Sequence, residues 1–210
     1  MKISVIGSGN VGSGLGRIFA EKGHEVFMSA STAEKASEIS KTIGLDSQGG
    51  TVEDAVKFGD VIIVATPWEK TADVIRSAGS FEGKIIIDCT NPINPDMSGL
   101  AIGHSTSAAE EIAKIATGAS VIKAFNTAFA SLYQSPSRLF GSRSSTMFYC
   151  GDDKEAKATA KKLIFEAGFE AIDAGPLSSA RYLEPMAMLL ITLGYGQKMG
   201  TNIAFSLIRR

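Results

Sequence analysis

Short apolar runs recur along the chain with amphipathic stretches between them, and their order predicts the fold. The runs are "KISVI", "EVFMS", "DVIIVA", "KIIIDC", "SVIKAF", "TMFYCG" and "EAIDAG". Between them lie segments such as "SGLGRIFAEKG" and "KEAKATAKKLIFEAG", whose apolar residues return at helical spacing. Strands of this kind alternating with helices predict βαβ units: an α/β fold with a doubly wound, mostly parallel sheet covered on both faces. No repeat, low-complexity tract or linker divides the chain, so residues 1–210 are expected to form a single domain. Its last part, 178–210, is helix-compatible and more apolar than a solvent-facing helix. It is expected to be a C-terminal helical segment that serves as a homodimer seam.

The first unit carries a phosphate-binding turn. In "KISVIGSGNVGSGLGRIFAEKGHEV" a strand runs into Gly7, Ser8, Gly9, Asn10, Val11 and Gly12, followed by a helix with apolar Leu15, Ile18 and Phe19, then a second strand. Gly7 permits the tight turn, Gly9 lets a pyrophosphate approach the backbone, and Gly12 lets the helix pack close to the strand. The helix N-terminus then faces the anion. In this context the pattern predicts a Rossmann-type dinucleotide site.

The end of the second strand selects the dinucleotide. An NAD site usually places Asp or Glu there to bind the ribose hydroxyls, but this strand ends in Met28, Ser29, Ala30, Ser31 and Thr32. A carboxylate ~4 Å from a 2'-phosphate would repel it by roughly 1 kcal/mol per unit charge in water and by several near a protein surface. Its absence favours NADP(H), with Ser29, Ser31 and Thr32 as hydrogen-bond donors and Lys35 one turn into the next helix. Ser31 and Glu34 also fit a capping box, and both roles can coexist.

Ligands of open parallel sheets lie beyond the carboxyl ends of the strands. Three turns there have polar, rigid content: Thr66-Pro67-Trp68, Thr90-Asn91-Pro92 and Asn126-Thr127. Asn91, Asn126, Thr127 and Pro92 are candidates for positioning a planar ring, with ordinary turn chemistry as the alternative.

Composition narrows the function further. A net charge of -1, with 44% hydrophobic and 20% charged residues, offers no basic stripe for nucleic acid. The N-terminal strand is too short for a signal peptide, and "PMAMLLITLGYG" falls short of the ~20 residues of a membrane span, so a membrane is not expected. Cys89 and Cys150 read as buried free thiols of a reducing compartment, the cytoplasm. His24 is expected in a solvated turn, His104 near substrate ahead of a helix capped by Ser107 and Glu110, and Asp152-Asp153 as a helix cap. No metal spacing occurs and no nucleophile has a paired base, so the chemistry is assigned to a cofactor, with hydride transfer the fitting reaction.

"IGSGNVGSGLG", "TPWE", "HSTSAAEEIA" and the block "CGDDKEAKATAKKLI" followed by "DAGPLSSARYLEP" resemble the NADP oxidoreductases that depend on the deazaflavin coenzyme F420. They are also similar to the cytosolic reductase domain of transmembrane metalloreductases. The resemblance runs along nearly the whole chain. It implies hydride passage between the NADP nicotinamide and deazaflavin, with a flavin (FMN or FAD) as the alternative co-substrate. It also implies that the C-terminal portion helps form the acceptor pocket and dimer. Arg181 and Glu184 are expected to fix the last helix against the sheet. The chain departs from archaeal members at Ala30 and Ser31, where they carry an Arg pair, and at "KAFNTAFA", where they carry His and Pro. The alternatives are flavin-mediated ferric or cupric reduction, reduction of a small imine or carbonyl, and a non-catalytic NADP(H) sensor.

Overall fold

The computed structural model describes residues 1–210. The strands are β1 (Lys2–Ile6), β2 (Glu25–Ser29), β3 (Gln48–Gly50), β4 (Val61–Val64), β5 (Ile85–Asp88), β6 (Ser120–Lys123), the hairpin β7 (Leu139–Phe140) and β8 (Arg143–Ser144), then β9 (Thr146–Gly151) and β10 (Glu170–Asp173). All but the hairpin join one eight-stranded sheet in the order β3-β2-β1-β4-β5-β6-β9-β10. The helices are α1 (Asn10–Glu21), α2 (Ala33–Ile43), α3 (Val52–Phe58), α4 (Trp68–Ser77), α5 (Ala108–Ile115), α6 (Ala130–Gln134), α7 (Lys154–Glu166) and α8 (Ala180–Ile191).

The central strands are apolar at successive positions because both faces are covered. Ile63 and Ile87 enter one core with Leu15 and Phe19 of α1 and Leu163 of α7. Ile62, Val64 and Ile86 enter the other with Ile75 of α4, Ile112 of α5 and Leu183 of α8. Side chains alternate across a strand, so a continuous apolar run feeds two cores. No helix is long and apolar enough to cross a membrane.

The sheet is mostly parallel, as expected, and the structure adds one antiparallel pair and corrects several local readings. β9 runs antiparallel to β6, pairing Lys123 with Cys150, because the chain between them stays at the carboxyl ends and makes no crossover. The N-cap of α2 is Thr32, whose hydroxyl accepts from the Lys35 N–H, one residue later than the expected Ser31 cap. His24 is buried, not solvated: its Nε2 lies 2.7 Å from Glu166 at the end of α7. The C-terminal segment is helical only to Gly196, through α8 and a π-turn at Thr192–Gly196. Residues 197–210 have no helical structure. They return to the sheet, where Phe205 O accepts from the Thr146 N–H and the Leu207 N–H donates to Thr146 Oγ1. The backbone of β9, having diverged from β6, finds its partners there.

Candidate functional site

Strand order reverses between β1 and β4, and a cleft of about 540 Å³ opens beyond their carboxyl ends. The three glycines of the first turn have different surroundings. Gly7 has φ +113°, and a Cβ there would lie 2.4 Å from Ala65 O; a Cβ on Gly12 would lie 1.9 Å from Gly7 O. Both are demanded by packing, so Gly12 sits beneath the turn and not on the cleft wall. A Cβ on Gly9 would meet nothing within 4 Å. Gly9 is also the N-cap of α1, which has no side-chain cap and no acid in its first turn. Gly7, Ser8, Gly9, Asn10 and Val11 thus floor the cleft beneath amides with no intrahelical partner.

At the β2 end, Ala30 and Ser31 line the cleft where an NAD site would have its acid, and Lys35 lies beside them. Ser29 also lines it but is fully buried, and its hydroxyl has no hydrogen-bond partner. Thr32 is absent from the wall, its side chain being spent on the α2 cap. The sequence reading missed Lys70, which enters from the first turn of α4. Its signal was position: a helix that starts where a strand meets the cleft turns its first residues toward the ligand. Lys35 and Lys70 are the only charged side chains on the wall.

At the other end, Thr66, Pro67 and Trp68 face Cys89, Thr90, Asn91 and Ile93. Thr90 is buried, with its hydroxyl unpartnered. Cys89 went unanticipated on this wall, and burial pushes its thiol far up. The other thiol, Cys150, is buried elsewhere and pushed up to about 12. Three proposed ring-positioning residues are not on the wall. Pro92 is buried behind it. Thr127 is 1% exposed, with its hydroxyl 3.6 Å from Met147 Sδ. Asn126 is 4% exposed. Its Nδ2 donates to Asn91 Oδ1 and to Leu183 O, both at 3.0 Å, while Asn91 Nδ2 donates back to Asn126 O at 3.1 Å. Asn126 therefore reaches the cleft only through Asn91. Asn126→Ala removes the two bonds donated by Nδ2, to Asn91 Oδ1 and to Leu183 O, while Asn91 Nδ2 keeps the backbone carbonyl of residue 126, and we expect a loss of about 1–2 kcal/mol in stability. Turnover should fall more than NADPH affinity, as read by chemical denaturation and steady-state kinetics. His104 is exposed with φ 61° and lines a separate cavity of about 340 Å³ with Pro185, Met188 and Leu189.

A buried ionic cluster lies behind the Thr90 wall. Lys123 Nζ is 2.8 Å from Asp88 Oδ2 and 2.8 Å from Glu184 Oε1, and it also donates to Thr90 O. Glu184 accepts in addition from the N–H groups of Ala108 and Ala109 at the start of α5. Burial works against the Lys123 charge, but the two carboxylates outweigh it and raise its pKa. Burial raises the Glu184 carboxyl, with Lys123 opposing. Arg181 forks onto Glu110 at 2.9 and 2.6 Å and holds that carboxyl below the usual carboxylate range. α8 is thereby joined to α5 and to the loop after β5.

These features fit a dinucleotide phosphate. There is open space over Gly9, an uncapped helix N-terminus, two lysines without a carboxylate, and orphaned hydroxyls of Ser29 and Thr90 at the two ends.

A family profile described as NADP oxidoreductase, coenzyme F420-dependent, matches residues 2–92. The F420-dependent NADP reductase of Methanothermobacter thermautotrophicus is 32% identical over 209 residues, covering 92% of this chain and 89% of that protein. Rat metalloreductase STEAP3 is 29% identical over 90% of this chain, which spans only 37% of the length of that relative. The crystal structure of a putative F420-dependent NADP reductase from Arthrobacter sp. FB24 superposes with a TM-score of 0.89, at 28% identity and full coverage of both chains.

Proposed function

This chain belongs to the family of F420-dependent NADP reductases, and on that premise we propose that it transfers hydride between NADP(H) and a flat ring acceptor, coenzyme F420 ahead of FMN or FAD. The observation that carries this reading is the open space over Gly9 beside an uncapped helix, in a cleft whose only charged walls are Lys35 and Lys70. Residues 7–11 would hold the pyrophosphate. Ser31, Lys35 and Lys70 would hold the adenosine 2'-phosphate, and Thr66, Thr90 and Asn91 would hold the nicotinamide. When bound, NADP(H) supplies the hydride. The chain neutralises its phosphates, orients its ring through Asn91 and Thr90, and shields the reacting face from water.

The segment 178–210 closes the acceptor side and forms the dimer contact. Tyr182 and Leu189 of α8 are 73% and 51% exposed, an apolar surface suited to a second copy of the chain. With both cysteines free and buried, the cytoplasm is the compartment we assign. Small molecules and a second copy are its partners, and nucleic acid and membrane are not. The similarity to STEAP3 over 90% of the chain favours a flavin-mediated metal reductase as the second reading.

Anaerobic NADPH oxidation with oxidised F420, with FMN, and with FMN plus a ferric chelate tests the proposal. Turnover with F420 is expected. Turnover only with flavin moves the protein to the second reading, and binding without turnover makes it a sensor. The 2'-phosphate assignment has its own check. Ala30→Asp should weaken NADPH roughly tenfold more than NADH, because it returns the repelling carboxylate; equal losses in titration calorimetry would place the phosphate elsewhere.

A further inference from the structure

We propose that the buried Lys123, Asp88 and Glu184 cluster tilts the cleft toward the oxidised, cationic nicotinamide, and so makes bound NADPH a stronger hydride donor. The inference rests on the nucleotide placement above and extends it to a group the ligand does not touch. All three residues are buried. Lys123 spends its donors on Asp88 Oδ2, Glu184 Oε1 and Thr90 O. The carboxylate oxygens face donors alone: Asp88 Oδ1 accepts from the Thr90 N–H at 2.8 Å, Glu184 Oε2 from the Ala108 N–H at 2.9 Å, and Glu184 Oε1 from the Ala109 N–H at 3.3 Å. With a donor on each of their four oxygens, the two acids are arranged as carboxylates, so that two negative charges share one positive charge. The first amides of α5 offset part of the excess, because a helix N-terminus carries about half a positive charge.

The cluster sits one residue behind the wall. Thr90 lines the cleft while its own carbonyl and N–H are held by Lys123 and Asp88. Hydride loss leaves the nicotinamide ring positively charged, whereas the reduced ring is neutral. A net negative charge in a low-dielectric wall attracts the first and is indifferent to the second. A purely structural cluster would treat the two forms alike.

The test is the ratio of two dissociation constants. NADP+ and NADPH are titrated by calorimetry into the parent, Glu184→Gln and Asp88→Asn, two near-isosteric changes that each remove one negative charge. In both variants Kd(NADP+)/Kd(NADPH) should rise about fivefold to twentyfold, the effect of a unit charge roughly 10–15 Å away at an effective dielectric of about 20. Affinity for 2'-phospho-ADP-ribose, which lacks the ring, should stay unchanged. An unchanged ratio in a folded variant overturns the inference and leaves the nucleotide site standing. A parent that binds neither nucleotide overturns the placement itself, and this inference with it.

Discussion

Gly9→Val should fold as the parent does and bind NADPH roughly 100-fold more weakly, a loss of about 2.7 kcal/mol. A Cβ at Gly9 meets no protein atom within 4 Å, and the residue's φ of -70° suits any L-amino acid. A Cβ thus meets no packing obstacle, and the poorer N-cap that valine makes should cost only about 1 kcal/mol of stability. The added methyl groups would instead occupy the cleft floor, where a pyrophosphate must approach the backbone. Gly12 is the contrasting control. Its Cβ would lie 1.9 Å from Gly7 O, so Gly12→Ala should lower stability as well as binding. Thermal melts paired with calorimetry separate the two variants. A Gly9→Val protein that is stable and retains parental NADPH affinity would remove the pyrophosphate from this turn.

Lys123→Met should cost about 3–5 kcal/mol of stability, the range for removing one partner of a buried ion pair. The methionine fills the aliphatic space but leaves Asp88 and Glu184 charged, buried and near each other. Adding Asp88→Asn and Glu184→Gln to the same chain should recover part of the loss, since what destabilises is the uncompensated charge more than the missing contact. Urea midpoints at constant slope give the comparison. A Lys123→Met protein within about 1 kcal/mol of the parent would mean that the carboxyls were not both ionised.

The family relationship and the α/β sheet were legible because they rest on local patterns. Each apolar run named from the sequence became a strand, and the turn at Gly7 to Gly12 formed where its glycines required it. What escaped was decided by distant partners. β3 is "QGG", with no hydrophobic signal, and it exists because β2 offers it an edge in register. Lys123 looked like an ordinary strand residue in "SVIKAF", since its partners lie 35 and 61 positions away. Asn126 and Thr127 had the right chemistry at the right strand end, but their side chains turn toward α8 and β9 and away from the cleft. Lys70 was overlooked because a lysine on a helix usually reads as solvated. The Thr32 cap moved by one residue, a distance at which S-x-x-E and its neighbour compete on equal local terms.

Trp68 has an optical consequence. It is the single tryptophan among the 210 residues, and it stands at the cleft wall on the first residue of α4. Indole emission from this protein therefore originates beside the ligand. A reduced nicotinamide, which absorbs where indole emits, would dim that emission and glow in its place, so the unlabelled chain carries its own occupancy gauge.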